Sequence, residues 1–127
     1  MVLTLKEKEK LVEKATNLYN EIKEIKIRQQ IKVNLAPKYY PSNNRYSDSG
    51  LTYYYKGGIG IFGEDVEDSL KDLKEYIKYQ KGEIDYHFVS DYQINALLDF
   101  IYYKDTILDT IKRTNERERN ELSNLLD

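Results

Sequence analysis

The sequence contains no cysteine and no tryptophan, and only one histidine, one methionine and two prolines in 127 residues. Without cysteine there are no disulfide staples, no thiolate metal sites and no cysteine nucleophile. With His87 as the single histidine, two-histidine metal sites are excluded. No apolar run approaches the ~18 residues that a membrane-crossing helix needs. The opening residues MVLTLKEKEK lack an apolar segment of the kind a secretory signal carries, so a cytoplasmic protein is expected. One chain of this length suits a single domain, residues 1–127.

Charge is abundant but nearly balanced, with 20 Lys and Arg against 22 Asp and Glu. It is unevenly placed. Residues 1–62 hold eleven basic and six acidic residues, and residues 63–127 hold nine and sixteen, so the halves carry +5 and −7. Either the molecule has a basic face, or the halves pack together and the charges cancel. The favoured residues, Lys, Ile, Asn, Glu and Tyr, have AT-rich codons. This composition points to an AT-rich genome, such as that of a phage, a Firmicute or a crenarchaeal virus.

Thr4 and Glu7 form a Thr-x-x-Glu capping box. Leu11, Ala15, Leu18, Ile22 and Ile25 then recur at steps of four and three, which predicts a helix from Thr4 to about Lys32. Ile31, Val33 and Leu35 alternate, leaving a short extended exit as the alternative ending. Pro41-Ser42-Asn43-Asn44 and Ser47-Asp48-Ser49-Gly50 are turn chemistries, so residues 38–50 read as a loop. A hairpin over 51–62 follows from the β-forming run Leu51–Tyr55, a Gly57-Gly58 turn and the return Ile59–Phe62.

A middle helix is expected over 64–81, with Val66, Leu70, Leu73 and Ile77 as its stripe and Gly82 after its end. Residues 83–89 alternate, with Ile84, Tyr86 and Phe88 on one side and Asp85 and His87 on the other. That predicts a strand joining the hairpin. Ser90 and Gln93 make a second capping box. A seam of Leu97, Ile101, Lys104, Leu108, Ile111, Asn115, Glu118, Leu122 and Leu125 then predicts a helix over 91–126 of roughly 50 Å, with a break near Lys104–Thr106 as the alternative. The expected fold is α+β and mostly α. Long N- and C-terminal helices pack antiparallel beside a small antiparallel sheet and a middle helix. A self-associating coiled coil is the other way to bury the seam, with Asn115 fixing its register and a homodimer as the product.

No catalytic constellation emerges. Gly57-Gly58-Ile59-Gly60 lacks both the Gly-Lys-Ser/Thr ending and the following helix of a phosphate-binding loop. Glu21/Glu24, Glu64/Glu67, Asp65/Asp68 and Glu118/Glu121 have the i,i+3 spacing of helical carboxylate sites, but a chain this charged produces such pairs on solvated faces. Ser90 is explained by capping, and Ser47 and Ser49 have no histidine partner except His87, so a serine triad is not expected. No enzymatic activity, cofactor or metal is expected.

The stretch Lys38–Gly63 stands out. It holds six of the thirteen tyrosines and five of the six glycines. Tyr39, Tyr40, Arg45, Tyr46 and Lys56 mix aromatic faces with cations. Such a surface suits protein contacts, and it also suits base stacking with phosphate neutralisation. The hairpin tyrosines are expected to be at least partly structural. Arg113 and Arg117, one helical turn apart, are a second candidate, as a clamp for a phosphate or carboxylate. The functional expectation is a small non-enzymatic binding protein of a phage, virus or mobile element. It would act by protein–protein contacts on host machinery, with a defence complex among the targets. The alternatives are a nucleic-acid or nucleotide-binding module using residues 38–56, and a coiled-coil structural or assembly protein.

Overall fold

The computed structural model describes residues 2–25, 30–40, 51–53 and 58–126. Four helices and a four-stranded antiparallel sheet follow one another as α1 (Leu5–Glu24), β1 (Ile31–Val33), β2 (Leu51–Tyr53), β3 (Ile59–Ile61), β4 (Glu64–Asp65), α2 (Val66–Gln80), α3 (Asp91–Tyr102) and α4 (Lys104–Leu126). The expected α+β, mostly α class is therefore the fold.

Both capping boxes form. The Thr4 hydroxyl accepts from the Glu7 N–H at 3.1 Å and the Glu7 carboxylate accepts from the Thr4 N–H at 3.0 Å. Ser90 and Gln93 repeat the arrangement at 3.1 and 3.0 Å at the start of α3. At the other end of α2, Gly82 takes φ 75°, and the Glu83 N–H reaches the Lys78 carbonyl at 2.9 Å. This closure needs the left-handed region, which glycine enters without cost.

α1 ends at Glu24, earlier than Lys32, because Ile31 and Val33 are used as strand residues. β1 pairs with β2 and places Ile31 opposite Tyr53. In β2–β3 pairing, Tyr53 lies opposite Ile59. A Gly57-Gly58 turn would have put Lys56 there instead. Residues 54–57 lie outside the described residues. The sheet is a meander in the order β1-β2-β3-β4. Ile31, Val33, Tyr53, Ile59 and Ile61 are buried on one face, while Lys32 on the other is exposed.

β3 turns into β4 through Phe62 and Gly63, at φ 51° and 84°, with Ile61 opposite Glu64. Two consecutive positive φ values mark a primed two-residue hairpin turn, whose twist matches that of the strands. A left-handed phenylalanine costs about 1–2 kcal/mol. Phe62 is 2 % exposed, and burial of a ring that size returns about 1.5–3 kcal/mol. Burial wins, and the turn holds.

The predicted strand over 83–89 is absent. Residues 83–90 form no strand, and the edge positions of the sheet belong to β1 and β4. The expected burial alternation holds at Ile84 and Asp85 but is reversed over residues 86–88. Tyr86 and Phe88 are exposed, while His87 is half-buried and bonds the Asp72 carboxylate at 3.1 Å.

α1 and α2 run antiparallel. Lys8 on the first turns of α1 donates to Gln80 at the end of α2 at 3.0 Å, and Tyr19 donates to Glu67 at the start of α2 at 3.1 Å. α1 also packs on α3, the first part of the predicted C-terminal helix. The helix over 91–126 is interrupted at Tyr103, and α4 packs on β1. Buried residues from all four helices and from β1, β2 and β3 join in one apolar cluster. α4 contributes Ile107, Leu108 and Ile111 to it, and no described residue beyond Ile111 is buried. The coiled-coil seam of Leu122 and Leu125 is thus exposed.

Candidate functional site: an aromatic face on a carboxylate-held turn

The site begins with one residue, Asp99, in the apolar α3 stretch Ala96–Tyr102. It is 0 % exposed. A bare carboxylate buried in an apolar core would cost many kcal/mol unless its oxygens were satisfied. Here they are. Oδ1 accepts from the backbone N–H groups of Lys38 at 2.9 Å and Tyr39 at 3.0 Å, and Oδ2 accepts from Tyr40 at 2.9 Å. Bonds to an ionised acceptor are roughly twice as strong as neutral ones. The Tyr103 hydroxyl adds a bond to the Ala36 carbonyl. Segment 36–40 is therefore clasped from both sides by the α3–α4 joint.

That clasp decides where the tyrosines go. Tyr40 turns inward, 5 % exposed, with its ring 5.4 Å from Phe62 and 5.5 Å from Tyr92. Tyr39 stays at the surface, half-buried, edge-on to Tyr102 at 6.2 Å and 83°. The Lys38 ammonium sits 4.3 Å from the Tyr102 ring and 5.8 Å from the Tyr39 ring. Tyr103 packs against Tyr102 at 4.8 Å. Tyr102 is 52 % exposed and Tyr92 45 %. The result is a face of tyrosine rings with one ammonium set among them, attached to a rigid helix end.

Of the residues singled out from the sequence, Tyr39 and Tyr40 lie in this turn, one at the surface and one in the core. Arg45, Tyr46 and Lys56 lie outside the described residues. Arg113 and Arg117 are exposed on α4. Arg113 forms a two-nitrogen ion pair with Asp109 one turn earlier, which holds the Asp109 carboxyl below its ordinary value. Arg113 is thereby tied to its own helix. His87 bonds Asp72 on the far side of α2, which also accepts from Gln93 at 2.8 Å.

Asp99, Tyr92, Tyr102 and Tyr103 were not singled out by sequence reading. A signal for Asp99 exists: it is an acid in the run Ala96-Leu97-Leu98-Asp99-Phe100-Ile101, with no base within a turn. The seven-residue spacing of Tyr92 and Asp99 puts both on one side of α3. Among the described residues no group of three His, Asp or Glu side chains can hold a metal ion, and no helix is long and apolar enough to cross a membrane. Comparison with family models, characterised proteins and solved structures returns no match for this chain.

Proposed function

We propose that this chain is a non-enzymatic binding protein that acts through protein–protein contacts, with Tyr39, Tyr102 and Lys38 at the centre of the contact face. The observation that carries the reading is the exposed Tyr102 ring, flanked by Tyr39 and Lys38 on a turn held by three hydrogen bonds to buried Asp99. Tyrosine offers a large contact area with few rotatable bonds, and a held backbone loses little entropy on binding. The proposal extends to origin and target: a protein of a phage, virus or mobile element directed at host machinery, a defence complex included. The chain's composition is what motivates that extension.

Nucleic-acid binding is the second reading. It is favoured by the Lys38 ammonium between two ring faces, an arrangement that could stack a base and neutralise a phosphate. The acidic pI of about 5.5 ranks it lower.

The test compares the wild-type protein with a Tyr39→Ala/Tyr102→Ala variant whose circular dichroism is unchanged. Loss of partner capture by the variant, with no oligonucleotide affinity at low salt, supports protein binding. Oligonucleotide affinity that falls steeply with salt replaces it by the second reading.

A further inference from the structure

The second half of the chain holds most of the acidic residues, and the fold concentrates four of them. Glu64, Asp65, Asp68 and Asp72 border a cavity of about 520 Å³ between the start of α2 and the segment that carries His87 and Gln93. Lys71 is the one lysine among its lining residues. The larger groove between α1 and α2, about 660 Å³, differs in kind. It mixes both signs, and pairs such as Lys81–Glu9 at 3.3 Å are already matched within it.

Two carboxylates of the acidic cavity are committed. Asp65 accepts from the Asp68 N–H at 2.9 Å as the cap of α2, and Asp72 is held by His87 and Gln93. The other two, Glu64 and Asp68, have no side-chain partner among the described residues. Burial raises the Glu64 carboxyl above its ordinary value, so its charge is poorly solvated. An independent observation points the same way. Ser69 is 1 % exposed and lines this cavity, and its hydroxyl has no hydrogen-bond partner among the described residues. A buried hydroxyl left unpaired costs free energy, and native proteins rarely leave one without reason.

We infer that this cavity is a binding site for a guanidinium group, held by the carboxylates of Glu64 and Asp68 and by the Ser69 hydroxyl. Several facts select this ligand class. Among the described residues no three of the carboxylates can hold a metal ion. A planar cation with five N–H donors needs no such convergence and can use separate acceptors. A hydroxyl with no donor nearby is free to accept one of those N–H groups. The Asp72–His87–Gln93 network holds three further lining residues in place.

The test uses the full-length protein and arginine amide, with citrulline amide as the neutral isostere. Arginine amide should shift the Gln93 side-chain amide and His87 ring resonances saturably, and citrulline amide should not. Asp68→Asn should weaken the interaction about tenfold, as expected for loss of one charge-assisted pair. Asp68 is exposed and donates only its backbone N–H to the α2 cap, so this variant keeps the fold. Ser69→Ala gives a second, separable readout. Removing an unpaired buried hydroxyl should leave Tm unchanged or raise it, while affinity falls about threefold. A short peptide with a central arginine, against the same peptide with citrulline, distinguishes an arginine side chain of a polypeptide from a free small molecule. Equal response to arginine and citrulline amides, or unchanged affinity in both variants, would overturn the inference.

Discussion

Asp99 shows how one residue organises a surface. Its carboxylate is buried because three backbone N–H groups from a distant segment converge on it. Replacing it with alanine leaves those donors unsatisfied in the core. Asp99→Ala should therefore cost about 3 kcal/mol or more in urea unfolding. Asp99→Asn keeps one acceptor oxygen and should fall between the two. If Asp99→Ala unfolds at the wild-type midpoint, the clasp does not hold the turn. Gly63 has a cost of a different origin. A Cβ there would meet no atom within 4 Å, yet its φ of 84° disfavours any side chain. Gly63→Ala should lose about 1 kcal/mol from backbone strain alone. Tyr19 gives an alkaline signature. Its hydroxyl is pushed up to about 12 by burial first and then by its bond to Glu67. A folded-state value above the unfolded one of about 10 means that this stabilisation is complete below pH 10. It should be lost as pH rises from 10 to 12, and Tyr19→Phe should flatten that fall in an unfolding-versus-pH series.

At the scale of elements, local chemistry was readable and tertiary choice was not. The two capping boxes, the α2 stripe and Gly82 are short-range patterns, each closed within a few residues, and each is present. The end of α1 was ambiguous because Ile31 and Val33 fit a helix or a strand, and pairing with β2 decides it. Residues 83–89 carry a strand's alternation, but both edges of the sheet are formed by other strands, and His87 bonds Asp72 while Tyr86 and Phe88 are exposed. The Phe62-Gly63 turn was hidden because a phenylalanine at positive φ is sustained only by its tertiary burial. Of the candidate site, Tyr39 and Tyr40 were legible as an aromatic pair. Tyr102 and Asp99 were not, since their meaning depends on a segment about sixty residues away. The tail of α4 follows the same logic. Its heptad seam continues past Ile111, yet Leu122 is 39 % exposed and Leu125 81 %. Deleting residues 117–127 should change unfolding free energy by less than about 0.5 kcal/mol, because no described side chain there is buried. A larger loss, with light scattering shifting from dimer to monomer, would show instead that two copies bury the seam together.

Across the whole molecule, the described concave and aromatic features fall on separate supports. The α1–α2 groove is bridged by polar contacts, Lys8 with Gln80 and Tyr19 with Glu67. The acidic cavity opens beside the start of α2. The aromatic face sits at the α3–α4 joint, where the Asp99 clasp and the Tyr103 hydroxyl meet segment 36–40. The proposed contact function rests on the aromatic face at that joint. The most direct test of the aromatic face places a photo-reactive benzophenone side chain at position 102 and, as a control, at the exposed position 124 of α4. The account predicts covalent protein adducts from position 102 that are absent from position 124 and that disappear when Tyr39 is also replaced by alanine. Equal protein adducts from both positions, or adducts with nucleic acid alone, would contradict it.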